Sequence, residues 1–221
     1  MTTHNAIILH GVGTQKPDYA DFALKHIPGS LHAKPVCYAP ILQRPEKAFE
    51  EYAKQKGSKM DFIQRFMAEY SADALAYRNF SDQIFALIDA EVTKMSAGPI
   101  SFWTHSLGCM IANDYLNARP NVKIERFVTF GCNIGFFEMG AKLQVAPQLQ
   151  GVDVWHNFFY KRDPLGYALE GITEGAEHVV DTRITRIWYS LSLFFSALTH
   201  TDYFKDRHFW SKTVPGVYSA L

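Results

Sequence analysis

The sequence predicts an α/β fold built on one mostly parallel sheet of about six strands flanked by helices. Six short β-rich runs recur along the chain, several of them nearly continuous in apolar residues, as strands buried on both faces require. Helical patterns lie between these runs, and alternating strand and helix is the mark of a doubly wound sheet with right-handed crossovers. A chain of 221 residues is long enough for one well-buried core and would cramp a second. A single domain over 1–221 is therefore expected.

The first run, NAIILHG, ends at a glycine turn; DYADFALKHI then reads as a helix. The second, AKPVCYAPI, is bounded by Pro35 and Pro40. From Arg44 to Met95 the pattern is helical, with Gly57 as its clearest break. That length exceeds one crossover, so at least two or three helices are expected. The last would be the crossover near Asn79–Met95, and about 44–78 a possible helical cap. GPISFWTH, IERFVTFG, VDVWHNFFYKRD and the weaker EHVVDTRI complete the strands, and GCMIANDYLNARP is the helix after the third, stopping at Pro120.

Lys plus Arg and Asp plus Glu number 22 each, so no general electrostatic grip on nucleic acid is implied. The three cysteines, Cys37, Cys109 and Cys132, show no Cys-x-x-Cys spacing and read as small buried thiols rather than a disulfide framework or a metal site. No apolar run approaches the roughly 20 residues that span a bilayer, and no charged segment followed by an apolar core opens the chain. A cytoplasmic protein without a transmembrane segment is expected.

The chemistry concentrates in four turns. Thr104-His105-Ser106-Leu107-Gly108 joins a strand directly to a helix, the context of a nucleophile elbow. There the serine hydroxyl is pushed above the carboxyl edge of the sheet, with the helix dipole aimed at a developing oxyanion. Gly108 supplies the small residue that such a turn needs; Thr104 stands where glycine is usual. The alternative is that Ser106 simply caps the helix. His10-Gly11-Val12-Gly13 follows the first strand, where a second oxyanion donor belongs. Val12 N–H is expected to pair with Leu107 N–H, with Gly13 as the alternate for Val12 and His10 as a structural hydrogen-bonder. Asp163, before Pro164, follows the fifth strand and can orient a histidine; Asp153 and Asp181 are its rivals. For the base, His200 in the turn Thr199-His200-Thr201-Asp202 is favoured over His208 and His178 by the chain order Ser, Asp, His.

Together these motifs, with RFVTFGCNIG after the elbow helix, resemble the α/β-hydrolase superfamily, and within it lipase-like serine hydrolases including relatives of GPI inositol deacylases. The likeness runs from Asn5 to about Trp210 and omits the 44–75 insertion. It implies Ser106 as nucleophile, His200 as general base and then acid, Asp163 as its orienter, and no metal or organic cofactor. It also implies a minimal version of the fold. The expected substrate is a small-molecule, lipid-like ester with an apolar acyl group. Phe62–Phe80 and Arg186–His200 are candidate pocket walls, the latter suited to transient contact with a lipid surface. A thioesterase or amidase would use the same triad, and a non-catalytic binding protein could keep the fold.

Overall fold

The computed structural model describes residues 4–13, 16–28, 31–42, 51–52, 54–55, 62–95, 98–134, 151–170, 179–185 and 200–218, with the backbone alone over 62–70. Six strands, β1 (His4–Leu9), β2 (Leu31–Val36), β3 (Ile100–His105), β4 (Ile124–Phe130), β5 (Val152–Tyr160) and β6 (Val179–Ile184), form one sheet in the order β2-β1-β3-β4-β5-β6. All five neighbouring pairs are parallel. Each expected strand is present. Pro35 lies within β2 rather than bounding it, which is tolerated because β2 is an edge strand and need not donate outward.

Alternate residues of each strand feed two cores. Ile7, Leu9, Phe102 and Phe127 pack against α2 (Phe62–Thr93) and α3 (Leu107–Ala118). Ala6, Ile8, Trp103 and Val128 pack on the other face against α1 (Asp21–Leu24) and α4 (Arg207–Tyr218). The central strands β1, β3 and β4 are covered on both faces, which explains their nearly unbroken apolar sequence, whereas β5 and β6 keep exposed positions, Val154 and Val180 among them.

The helices depart from expectation in two places. DYADFALKHI yields only the single turn Asp21–Leu24, held to the sheet by Tyr19, whose hydroxyl donates to Ile8 O at 2.6 Å. The crossover, expected to begin near Asn79, is instead one helix of 32 residues from Phe62 to Thr93. Its interior has neither proline nor glycine to interrupt it. Most of the expected cap before Phe62 lies outside the described residues. Among the described residues, no helix is long and apolar enough to cross a membrane.

Strand order reverses between β1 and β3, because the chain leaves β1 toward β2 and returns to the far side of β1. In open α/β sheets such a switch point opens a crevice at the strands' carboxyl ends. The His10–Gly13 turn and the Ser106 turn meet there. The first turn of α3 crosses the end of β1 so closely that a Cβ on Gly108 would lie 2.5 Å from His10 O and 3.0 Å from Leu9 Cβ. Thr104 is not among these nearest neighbours. Its hydroxyl donates to Val128 O at 3.3 Å within the sheet, so its extra atoms are absorbed in β3–β4 packing instead of crowding the elbow.

The β1 turn is fixed from three sides. Gly13 N–H donates to Asp73 Oδ2 of α2 at 2.6 Å. The Tyr38 hydroxyl donates to His10 O. Tyr38 N–H donates to His10 Nε2 at 3.2 Å, which leaves Nδ1 to donate to Gly11 O at 2.7 Å. His10 is buried and stacked on Tyr38, with ring centroids 3.8 Å apart. Burial holds its pKa down at about 4, against the raising effect of the Gly11 bond. His105 is buried likewise, and burial together with the charge of His200 brings it to about 3.

Two outcomes follow from this packing. Gly108→Ala must displace α3 from β1, and a loss of about 1–3 kcal/mol is expected, read as a lowered urea midpoint; an unchanged midpoint would refute the close seating. The unfolded chain protonates His10 and His105 below about pH 6.5, whereas the fold keeps both neutral down to about 4 and 3. Their contribution is complete above pH 6.5 and shrinks as pH falls toward 4, by up to about 1.4 kcal/mol per pH unit for each ring. Urea titrations at pH 7.5 and 5 measure it, and equal stabilities would mean that the rings are solvated.

Candidate active site

Ser106 is the joint between β3 and α3, with φ 52° and ψ −121°. Among the described residues it is the one non-glycine with positive φ. Such a backbone costs about 1–3 kcal/mol and persists only where surrounding packing over-determines it. Ser106 N–H donates to Phe130 O at 3.3 Å, carrying the β3–β4 ladder into the turn. A Cβ on Gly11 would come within 2.9 Å of Ser106 Cβ, so β1 presses from the other side. Ser106 occupies the N-cap position of α3, yet its hydroxyl makes no capping bond. Ser106 Oγ lies instead 2.8 Å from His200 Nε2.

His200 Nδ1 lies 2.8 Å from Asp163 Oδ1. Asp163 belongs to a tight turn after β5, closed by its N–H donating to Tyr160 O at 3.1 Å. Oδ1 also accepts Leu165 N–H at 2.9 Å, and Oδ2 accepts the Tyr203 hydroxyl at 2.7 Å. Burial by itself would raise this carboxyl. The positive character of His200 and the hydrogen bonds from His200, Tyr203 and Leu165 outweigh it and leave the pKa below the usual carboxylate value. Ionised Asp163 can only accept, so Nδ1 carries the proton and Nε2 is left to accept from Ser106 Oγ.

The structure thus gathers Ser106, His200 and Asp163 from three separate turns, and leaves their rivals elsewhere. Asp153 is exposed near the start of β5. Asp181 is committed to the loop before β6, accepting Leu169 and Glu170 N–H through Oδ2, and Asn157 Nδ2 through Oδ1. His208 is exposed in the first turn of α4. His178 lies outside the described residues. Val12 lines the same cavity as Ser106, and Leu107 opens α3, where early N–H groups have no partner within the helix. Gly13, the alternate donor, spends its N–H on Asp73.

Four supporting residues went unassigned in the sequence. His105 Nε2–H donates to His200 O at 2.7 Å, tying the histidine turn to the residue next to Ser106. Gly131 follows β4 with φ 56°; a Cβ there would lie 2.9 Å from the Tyr203 ring, 3.1 Å from Asp163 Oδ2 and 3.2 Å from His200 Cε1. Only glycine fits both that backbone and that space. Tyr203, three residues past His200, had a local signal in its spacing. Asp73 had none, because its contact spans 60 positions.

A cavity of 570 Å³ opens in front of Ser106 and His200. Tyr19, Phe22 and Phe204 contribute apolar wall. The exposed Lys16, Lys25 and Lys205 are matched around it by Asp18, Asp21 and Asp202, so its charge is balanced. Of the expected pocket walls, 186–199 and the side chains of 62–70 lie outside the described residues. Among the described residues no cluster of His, Cys, Asp and Glu could hold a metal ion.

Neither a protein-family model nor a curated protein matches the sequence. Solved structures do match in three dimensions. ClbQ, from the colibactin NRPS/PKS pathway, aligns with TM-score 0.50 at 12% identity over 99% of this chain and 96% of that one. The type II thioesterase BorB from the borrelidin biosynthetic cluster gives 0.46 at 15% identity over 84% of each chain. An acetyl xylan esterase gives 0.41 at 11% identity over 99% of this chain and 98% of that one. The sheet order and the likeness to ClbQ give the chain the α/β-hydrolase fold.

Proposed function

We propose that the protein is a serine hydrolase that cleaves an acyl ester through a covalent acyl-enzyme. The observation that supports this best is the hydrogen-bonded series Ser106 Oγ, His200 and Asp163, with 2.8 Å at each junction, at the edge of an open cavity. In this reading His200 Nε2 takes the Ser106 proton as Oγ attacks the carbonyl carbon. Val12 and Leu107 N–H stabilise the resulting oxyanion, each such donor being worth about 2.7–4 kcal/mol of barrier. The tetrahedral adduct collapses as His200 returns its proton to the leaving oxygen, releasing the alcohol. Water, deprotonated by His200, then attacks the acyl-enzyme, and Ser106 recovers its proton as the acid departs. Asp163 stays ionised throughout, holding the imidazole tautomer and stabilising the imidazolium.

The substrate moiety we favour is an apolar acyl group, seated against Tyr19, Phe22 and Phe204, on a small-molecule, lipid-like ester. A fluorophosphonate probe is expected to label Ser106 in the folded protein, and Ser106→Ala to abolish labelling and lower kcat by about 10⁴-fold or more. Absence of labelling in the wild-type protein would sink the hydrolase reading. A series of p-nitrophenyl esters should show kcat/KM rising with acyl length. Activity confined to the shortest chains counts against the apolar acyl group, and faster turnover of matched acyl thioesters would move the assignment to a thioesterase.

A further inference from the structure

We propose that Tyr203 is a positioning residue that sets the proton affinity of the Asp163–His200 pair; this rests on the catalytic roles proposed above. Tyr203 is fully buried in the short 3-10 turn Tyr203–Lys205. Its hydroxyl accepts Tyr160 N–H at 3.0 Å and donates to Asp163 Oδ2 at 2.7 Å. The first bond fixes the direction of the second. With the backbone N–H of Tyr160 occupying a lone pair, the one phenolic proton is left pointing at the carboxylate. Burial and the neighbouring Asp163 charge both push the phenol pKa well above its ordinary value, so this proton is retained wherever the enzyme works.

Among the described residues, Tyr203 is the hydrogen-bond donor that reaches Oδ2. A Cβ on Gly166 would lie 2.6 Å from that oxygen and one on Gly131 3.1 Å, so backbone closes over two of its sides. The other titratable groups around the pair point elsewhere: His105 donates to His200 O, the Tyr160 hydroxyl to Asp206 Oδ2, and the Tyr167 hydroxyl to Pro164 O. Lys161 and Arg162 in the Asp163 turn are exposed, and Asp202 flanks the 3-10 turn. A carboxylate stripped of the Tyr203 bond would keep Leu165 N–H and His200, both on Oδ1. It would then bind the imidazole proton more tightly. The fraction of enzyme carrying a neutral base then falls at a given pH.

Tyr203→Phe removes the hydroxyl and leaves the ring in place. Losing a charge-assisted hydrogen bond of this kind is expected to lower kcat/KM on a p-nitrophenyl ester by about 10–100-fold, mostly in kcat. The acid limb of the pH–rate profile should move to higher pH by about one to two units, the equivalent of that loss. Rates are normalised to active sites counted with the fluorophosphonate probe, so a merely misfolded fraction does not register. In an Asp163→Asn background the same change should cost less than about threefold, because the two residues act as one unit. The His200 imidazole, titrated by NMR in wild type and Tyr203→Phe, reads the same shift without turnover. An unmoved imidazole titration overturns the proposal, as do equal losses in the wild-type and Asp163→Asn backgrounds. A moved titration in a protein that the probe fails to label sustains it while removing the hydrolase reading.

Discussion

Ser106 is held at φ 52° by a three-way collision of backbone, and the rest of the site is arranged around that point. β3 delivers the residue, α3 carries the chain away at once, and the end of β1 blocks the space into which the turn would otherwise relax. Gly11 and Gly108 mark the two contacts, at 2.9 Å to Ser106 Cβ and 2.5 Å to His10 O for an added Cβ. A strain of about 1–3 kcal/mol is small beside the burial of Ile7, Leu9, Phe102 and Leu107 in the same region. The hydrophobic sheet therefore sets the elbow and the elbow yields to it. The side chain that results cannot cap its own helix and is presented to His200.

Asp163, His200 and Ser106 could each relax away from the others, since they belong to different turns. Fixed partners prevent this. Asp163 is held by Leu165 N–H and Tyr203, His200 by the imidazole of His105 on its backbone carbonyl, and Ser106 by Phe130 O. A hydrogen-bonded series runs from the β5 backbone at Tyr160 through Tyr203, Asp163 and His200 to Ser106 Oγ. In a buried setting each bond polarises the next, so the geometry at Ser106 depends on a contact made four groups away.

The two neutral imidazoles, His10 and His105, have a different task from His200. Each is buried among aromatic rings, His10 on Tyr38 and Tyr19, His105 among Phe130, Tyr203 and Phe204. A protonated ring there would lose its hydration without a hydrogen-bonded carboxylate in exchange, and on His10 the second proton would displace the acceptor nitrogen that Tyr38 N–H uses. Three histidines thus meet at one sheet edge, and His200 is the one hydrogen-bonded to a carboxylate, that of Asp163.

Much of this was written in the sequence because the physics behind it is local. Apolar runs of strand length interrupted by helical periodicity identify a sheet covered on both faces, and all six strands lie where those runs are. The Ser106 turn was legible because a strand-turn-helix seam is encoded by neighbouring residues, and Asp163 was picked out by its place at the end of β5 before Pro164. The start of α2 was placed near Asn79 because 44–95 was judged too long for one crossover helix, although no proline or glycine breaks the chain between Phe62 and Asn79. Only the tertiary structure decided which nitrogen, carbonyl and carboxylate oxygen face one another. Asp73 reaches Gly13 across 60 positions and Ser101 reaches Tyr218 across 117, and pairings of that kind follow from strand order, which no local pattern carries. The same holds for Thr104, whose threonine side chain is accommodated because β4 lies beside it and the close approach to Gly108 comes from β1. The sequence determined where Ser106, Asp163 and His200 sit along the chain; the sheet topology, by bringing β1 and β3 side by side at the reversal of strand order, determined that their turns meet.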